Sequence, residues 1–467
     1  MSGVTERGMW RGRGLAWRAG IVLVVVLLLV GGLVAAALVT DVDDDLRAAV
    51  DSPSEAVADP SPGLVAADDS APAPDPAALG RILGPLADSP AVGDLTASVV
   101  DDATGEVMWE RRPRDPKVPA STTKLLTAAA ALTRLPGDAR VDTVLARGVE
   151  PDTLVVVPGG DPTMSRGAEP GALFPGAATL AQAAGVVRAA GMTPARIVVD
   201  PGPYTGPRLG PGWSPAEIPA GNIAPVEAWM LDAGRLDPAD EYSPRSTDPA
   251  LAAGRALAGE LGVDPERVEV STGSVETTEE LGRVSSAELI ERVRSMLVYS
   301  DNVLAEAICR EVALDRDPER PADFATGTAA VLDTLTERGL DMSGVRLDDC
   351  SGMSAGNRIS AAVLTDVLRT ASAPDATREM RDLLDTLPVA GGSGTLIDRF
   401  SGPSAAGAGW VRAKTGTLAG ASALAGSVTS ADGRTMSFAL LASGTDPAVA
   451  RPVLDRIAAE LRACGCR

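Results

Sequence analysis

The sequence predicts a mixed α/β fold, with helices around an antiparallel sheet, an inserted mixed α/β domain and an N-terminal transmembrane helix. Three observations carry this. Alternating apolar segments at 95–101 and 106–110 flank an Asp-Asp-Ala-Thr-Gly turn, and a second pair at 420–429 and 435–442 is joined by Asp432-Gly433, which is the pattern of antiparallel hairpins. From 141 to 282 the pattern changes to short strands between Gly/Pro loops, and helical periodicity returns at 286, as expected of a domain inserted into another. Residues 19–39 carry no charge, and at about 1.5 Å per residue a helix there spans roughly 31 Å, the thickness of a bilayer core.

Arg7, Arg11, Arg13 and Arg18 precede the apolar run and Asp41, Asp43, Asp44 and Asp45 follow it, so the positive-inside rule puts the N-terminus in the cytoplasm and the rest outside. Ala35-Ala36-Ala37 resembles a cleavage site, but the run is long for a signal peptide, so residues 1–40 are expected to be a cytoplasmic tail and uncleaved anchor. Cleavage would instead give a secreted protein. Residues 41–78, rich in Asp, Ala, Pro and Ser, read as a disordered stalk.

Folded structure is expected to begin with a short helix near Pro76. Residues 79–140 and 283–467 form the main domain and 141–282 the insert. Strands are expected in the insert at 154–157, 196–199 and 267–270, with helices near 178–190 and 247–261. The main domain adds helices over 119–132, 286–314, 323–338, 360–371, 376–385 and 447–462.

With 467 residues and 45% apolar content there is material for more than one core. A net charge of −21 excludes nucleic acid as a partner and anionic lipid as a partner of the main body. The chain has no histidine, which removes Ser-His-Asp and Cys-His mechanisms and His-ligated zinc. Four cysteines, Cys309, Cys350, Cys464 and Cys466, are too few and scattered for a disulfide scaffold or a four-thiolate metal site. Cys309 and Cys350 suit either a disulfide outside the cytoplasm or two buried thiols. No metal or cofactor is expected.

Of 42 basic residues only Lys117, Lys124 and Lys414 are lysine. An amine retained where arginine is otherwise preferred points to a need for a base that can lose its proton. On a helix over 119–132, Ser121 and Lys124 stand one turn apart, so the amine can take the Ser121 proton and make the hydroxyl a nucleophile. The same residues also suit an N-cap and a surface lysine. Tyr299-Ser300-Asp301-Asn302 likewise suits a helix restart capped by Ser or Asp. Lys414-Thr415-Gly416-Thr417 precedes the final pair of strands.

Ser-x-x-Lys, Ser-Asp-Asn and Lys-Thr-Gly in this order are the signatures of the penicillin-recognising serine enzymes. Within that group the chain resembles the D-alanyl-D-alanine carboxypeptidase/endopeptidase family of the penicillin-binding protein 4 type, serine peptidase family S13. That family inserts extra domains between the first two motifs, and here 175 residues separate Lys124 from Ser300. Gly159-Gly160-Asp161-Pro162, the run from Asp349 to Ser354, Asn357-Arg358-Ile359-Ser360, Leu387-Pro388-Val389-Ala390-Gly391 and Gly394-Thr395-Leu396 also match. Cys350 departs from the small residue usual there, and the insert is shorter than the longest examples of the family. No clear Glu-x-x-Leu-Asn follows Ser300, which disfavours a class A β-lactamase.

The resemblance implies a transpeptidase-like domain and an extracytoplasmic serine enzyme acting on peptidoglycan stem peptides that end in D-Ala-D-Ala, with endopeptidase action on cross-links and covalent binding of β-lactam antibiotics. It implies Ser121 as the acylated nucleophile, Lys124 as its base, Ser300 as the proton relay and Asn302 as a substrate holder. Lys414, on an edge strand, would repel charge on Lys124 and, with Thr415, Gly416 and Thr417, bind the substrate carboxylate. The N–H groups of Ser121 and Thr417 would form the oxyanion hole. A catalytically silent cell-wall peptide-binding protein and a β-lactamase-like hydrolase are the alternatives.

Overall fold

The structure is a computed structural model describing residues 71–167 and 173–465. The segment 19–39 and most of the expected stalk lie outside these residues. Among the described residues no helix is long and apolar enough to cross a membrane.

Helix α1 (Pro76–Ala87) is started by Asp75, whose carboxylate accepts the Ala78 N–H, and by Pro76 at its first position. The hairpin β1 (Asp94–Asp101) and β2 (Val107–Arg111) follows, then a 3-10 turn (Ala120–Thr123) that runs into α2 (Lys124–Arg134). Next come β3 (Asp142–Gly148), β4 (Thr153–Pro158), β5 (Asp161–Met164) and α3 (Leu180–Ala189), whose start is fixed by a Thr179/Gln182 capping box. Strands β6 (Arg196–Val199) and β7 (Trp229–Leu231) precede α4 (Pro249–Leu261), which Gly262 ends in the left-handed conformation. After β8 (Val268–Val270) and β9 (Thr277–Ser285) the chain is helical through α5 (Leu289–Val298), α6 (Asn302–Arg316), α7 (Phe324–Glu337), α8 (Ala361–Ser372) and α9 (Arg378–Asp385). Strands β10 (Val411–Leu418), β11 (Ala421–Thr429) and β12 (Thr435–Ser443) and helix α10 (Pro447–Ala463) complete it.

The main sheet has the order β10-β11-β12-β1-β2 with every neighbouring pair antiparallel, so its first and last strands in sequence meet through β1 and β12. Alternation along the strands makes two cores. Leu424, Phe438 and Leu440 pack with Leu83 of α1 and Leu454 and Ile457 of α10. Ala423, Ala425, Ala439 and Leu441, at the intervening positions, join Leu126, Val293, Leu304 and Leu364 of the helical layer. Each buried Leu or Phe contributes about 1.5–3 kcal/mol. The small alanines let that layer, with α2 inside it, come close to the sheet.

A second sheet, ordered β8-β6-β4-β3-β9, pairs β4, β6 and β8 in parallel and β3 with β4 and β9 antiparallel. It buries Leu154, Val156, Ile197 and Val199 against Ala183, Val187 and Leu257 of α3 and α4. The mixed α/β class with an antiparallel sheet agrees with the sequence reading. Two elements differ from it. The helix expected over 286–314 is two helices, broken at Ser300, and the helix expected from 119 begins as a 3-10 turn, with regular α-helix only from Lys124.

Candidate active site

Ser121 sits in the 3-10 turn and Lys124 is the first residue of α2. The Lys124 Nζ donates to Ser121 Oγ at 3.1 Å, to Asn302 Oδ1 at 2.6 Å and to the Ser351 carbonyl at 2.7 Å. Its side chain is fully buried. Loss of hydration lowers its pKa to about 8, against the opposing charges of Asp349, Asp301 and Glu306. An amine that titrates near neutrality, 3.1 Å from a hydroxyl, can receive that hydroxyl's proton.

Ser300 occupies the break between α5 and α6 with φ of 56°, the left-handed region that a non-glycine residue enters at a cost. The kink aims Ser300 Oγ at Lys414 Nζ, 2.9 Å away. Asp301 caps α6 through the Leu304 N–H and is fully buried against Arg235 at 2.9 Å and Arg245 at 3.1 Å. Burial would raise its pKa, but the two guanidinium groups hold it well below the ordinary carboxylate range. Asn302 bridges both sides, accepting from Lys124 and donating its Nδ2 to the Asn222 carbonyl at 2.8 Å.

Lys414 lies on β10, the edge strand, and is also fully buried. Besides Ser300 it donates to the Thr415 carbonyl at 2.9 Å. Desolvation, then the charge of Lys124, lower its pKa well below that of a free lysine, while Glu241 opposes them. Two glycines let the nucleophile's turn fit between β10 and the 349–354 loop. A Cβ on Gly416 would lie 2.6 Å from the Pro119 carbonyl, and one on Gly352, at φ of 85°, would lie 1.9 Å from that of Ala120.

Ser121, Ser300, Asn302, Thr415 and Thr417 line one cleft of about 710 Å³, into which Lys124 and Lys414 direct their amines from below, with Gly416 as packing. All eight residues expected from the sequence therefore converge. The cleft also takes Glu217, Asn222, Glu241 and Tyr242 from the second-sheet segment, and Arg451 from α10. Sequence reasoning missed these, since no local spacing ties them to a motif. Thr395 was within a matching stretch, and its hydroxyl lies 3.0 Å from that of Thr415.

Below the cleft, Cys309 of α6 and Cys350 form a disulfide, which the sequence left open. Glu306 Oε1 accepts the N–H groups of Cys350 and Ser351, both at 2.9 Å, so the loop that holds Lys124 is pinned to the helix that carries Asn302. The two sulfurs and Glu306 come within 4.8 Å of one another, but the sulfurs are bonded to each other.

A family model described as the D-Ala-D-Ala carboxypeptidase 3 (S13) family matches residues 81–242 and 237–463. Carboxypeptidase DacB of Mycolicibacterium smegmatis is 44% identical over 439 residues, 93% of this chain and 94% of that one. A D-alanyl-D-alanine carboxypeptidase of an Actinomadura species is 29% identical over 450 residues, 78% of this chain and 80% of that one. Among solved structures, penicillin-binding protein 4 of Haemophilus influenzae aligns with a TM-score of 0.68 at 21% identity, covering 80% of this chain and 97% of that one. The architecture is thus a mixed α/β fold of the penicillin-binding protein 4 type. The chain belongs to the D-Ala-D-Ala carboxypeptidase 3 (S13) family, as its motifs implied.

Proposed function

We propose that the chain removes the terminal D-alanine from peptidoglycan stem peptides through an acyl-enzyme on Ser121. The observation that carries this reading is the pairing of two hydroxyls with two buried amines, Ser121 with Lys124 and Ser300 with Lys414, on one cleft. Ser121 Oγ attacks the penultimate D-Ala carbonyl as its proton passes to the neutral Lys124 amine. The N–H groups of Ser121 and Thr417 receive the oxyanion. The C–N bond then breaks, and the proton held by Lys124 reaches the departing amine by way of Ser300 Oγ. Water next attacks the ester carbonyl, gives its proton to Lys124, and Ser121 Oγ recovers it.

A β-lactam presents a strained amide beside a carboxylate and would acylate the same hydroxyl; a Haemophilus influenzae structure of this fold is described as complexed with a β-lactam. The D-Ala-to-peptide bond of a cross-link offers the same groups, which makes endopeptidase action the second outcome. The reaction takes place outside the cytoplasmic membrane, on the strength of the uncharged run 19–39 and its flanking charges. We also read the segment around the second sheet as an inserted domain, since it has its own core. Incubation with a synthetic pentapeptide ending in D-Ala-D-Ala tests the reading. Free D-alanine from the wild type and none above background from Ser121→Ala is the expected result. Equal release by both would refute it.

A further inference from the structure

The cleft wall carries four arginines, and three are committed. Arg235 and Arg245 pair with Asp301, and Arg399 with Asp455 at 2.5 and 3.1 Å. Arg451, one turn into α10, is exposed; its charge acts on Asp455, but it has no carboxylate within ion-pair distance among the described residues. Its guanidinium donates to Thr417 Oγ1 at 2.9 Å. Lys414, by contrast, is buried with its amine bonded to Ser300 and Thr415, and its charge is disfavoured there.

This contact orients more than the arginine. A hydroxyl that accepts from a guanidinium keeps its own proton for another acceptor. Thr417 lines the cleft, so a carboxylate arriving there would receive the Thr417 O–H and the remaining Arg451 N–H donors together. Resting on the carboxypeptidase reading above, we infer that Arg451 is a substrate-binding residue, the cation that selects peptides ending in a free carboxylate.

The test compares release of the C-terminal residue, D-alanine from a peptide ending in the D-Ala carboxylate and D-alaninamide from one ending in D-Ala amide, both followed by mass spectrometry, by wild type, Arg451→Gln and Arg451→Lys. A hydrogen bond between charged groups corresponds to about 10- to 100-fold in binding, so Arg451→Gln should raise KM for the carboxylate peptide by that factor. Its kcat should stay within about threefold, and the rate on the amide peptide should fall by much less than that on the carboxylate peptide. Arg451→Lys should recover part of the lost affinity, because charge is kept while the fork geometry is not. A substitution that merely loosened α10 would slow both peptides alike. That result, or an Arg451→Gln KM equal to the wild type's, overturns the inference while the carboxypeptidase reading stands. A wild type that releases no D-alanine from the carboxylate peptide overturns both.

Discussion

The two serine–lysine pairs of the cleft look alike but sit among different charges. Each amine is fully buried and each donates to its hydroxyl, at 3.1 Å for Lys124 and 2.9 Å for Lys414. Lys124 has the charges of Asp349, Asp301 and Glu306 behind it, and titrates at about 8. Lys414 has only Glu241 in its favour and the charge of Lys124 against it. Equal burial with unequal neighbours therefore produces two different bases. Lys124 keeps a proton affinity matched to a hydroxyl's proton near neutral pH. Lys414 is held further toward its neutral form, because burial and the charge of Lys124 act on it together.

Replacing each lysine by arginine sharpens this difference most. Lys124→Arg keeps charge but cannot accept a proton, so penicillin labelling of Ser121, followed by mass spectrometry, should fall by about 10²–10⁴-fold. Lys414→Arg should retain part of the labelling. Equal loss in both would erase the distinction between base and charge.

The next largest effect belongs to Asp301, which faces Lys124 while holding two arginines. Asp301→Asn keeps the α6 cap but leaves Arg235 and Arg245 as uncompensated buried charges, at about 3–5 kcal/mol in urea unfolding. Because the folded pKa of Asp301 is depressed, its contribution is complete above about pH 4 and is lost as the pH falls below that. A loss under about 1 kcal/mol would mean the triad is solvated.

The smallest effect is a shift of the pH profile. Acylation needs neutral Lys124, so its rate should rise about tenfold per pH unit below 8 and level off above it. Burial and then Asp349 raise the Glu306 pKa to about 7, so Glu306 is charged above that pH and favours the ammonium form. Glu306→Gln removes that charge and should move the rise to lower pH, which stopped-flow labelling across pH 6–10 would detect. A shift to higher pH would contradict the assignment of Lys124 as the group that titrates.

Much of this was legible where a side chain's neighbours are near in sequence or repeat with a period. Strands β11 and β12 bury both faces against helices, and their apolar runs on either side of Asp432-Gly433 located them to within a residue of each end. Ser121 and Lys124 were legible because one helical turn relates them and because lysine is scarce in the chain. Strand β9 is largely exposed and has no apolar alternation to read. The helix restart at Tyr299-Ser300-Asp301-Asn302 was legible from its capping residues, and Asp301 is the cap, but the positive φ at Ser300 leaves no mark in composition. The walls supplied by Glu241, Tyr242 and Arg451 come from distant stretches, and only the fold brings them to the cleft.

The links from residues 213–245 to the motif residues bear on how such an enzyme can be recombined. Trp213 donates to Asp349 at 2.8 Å, the Asn222 carbonyl receives Asn302, and Arg235 and Arg245 enclose Asp301. A chimera that exchanged the second-sheet segment for one from another protein, joined cleanly at its two ends, would keep the nucleophile and both lysines. It would still strand a buried carboxylate and release the amide that steadies Lys124. The segment that shapes substrate access and the groups that set proton affinity are therefore inherited as one unit.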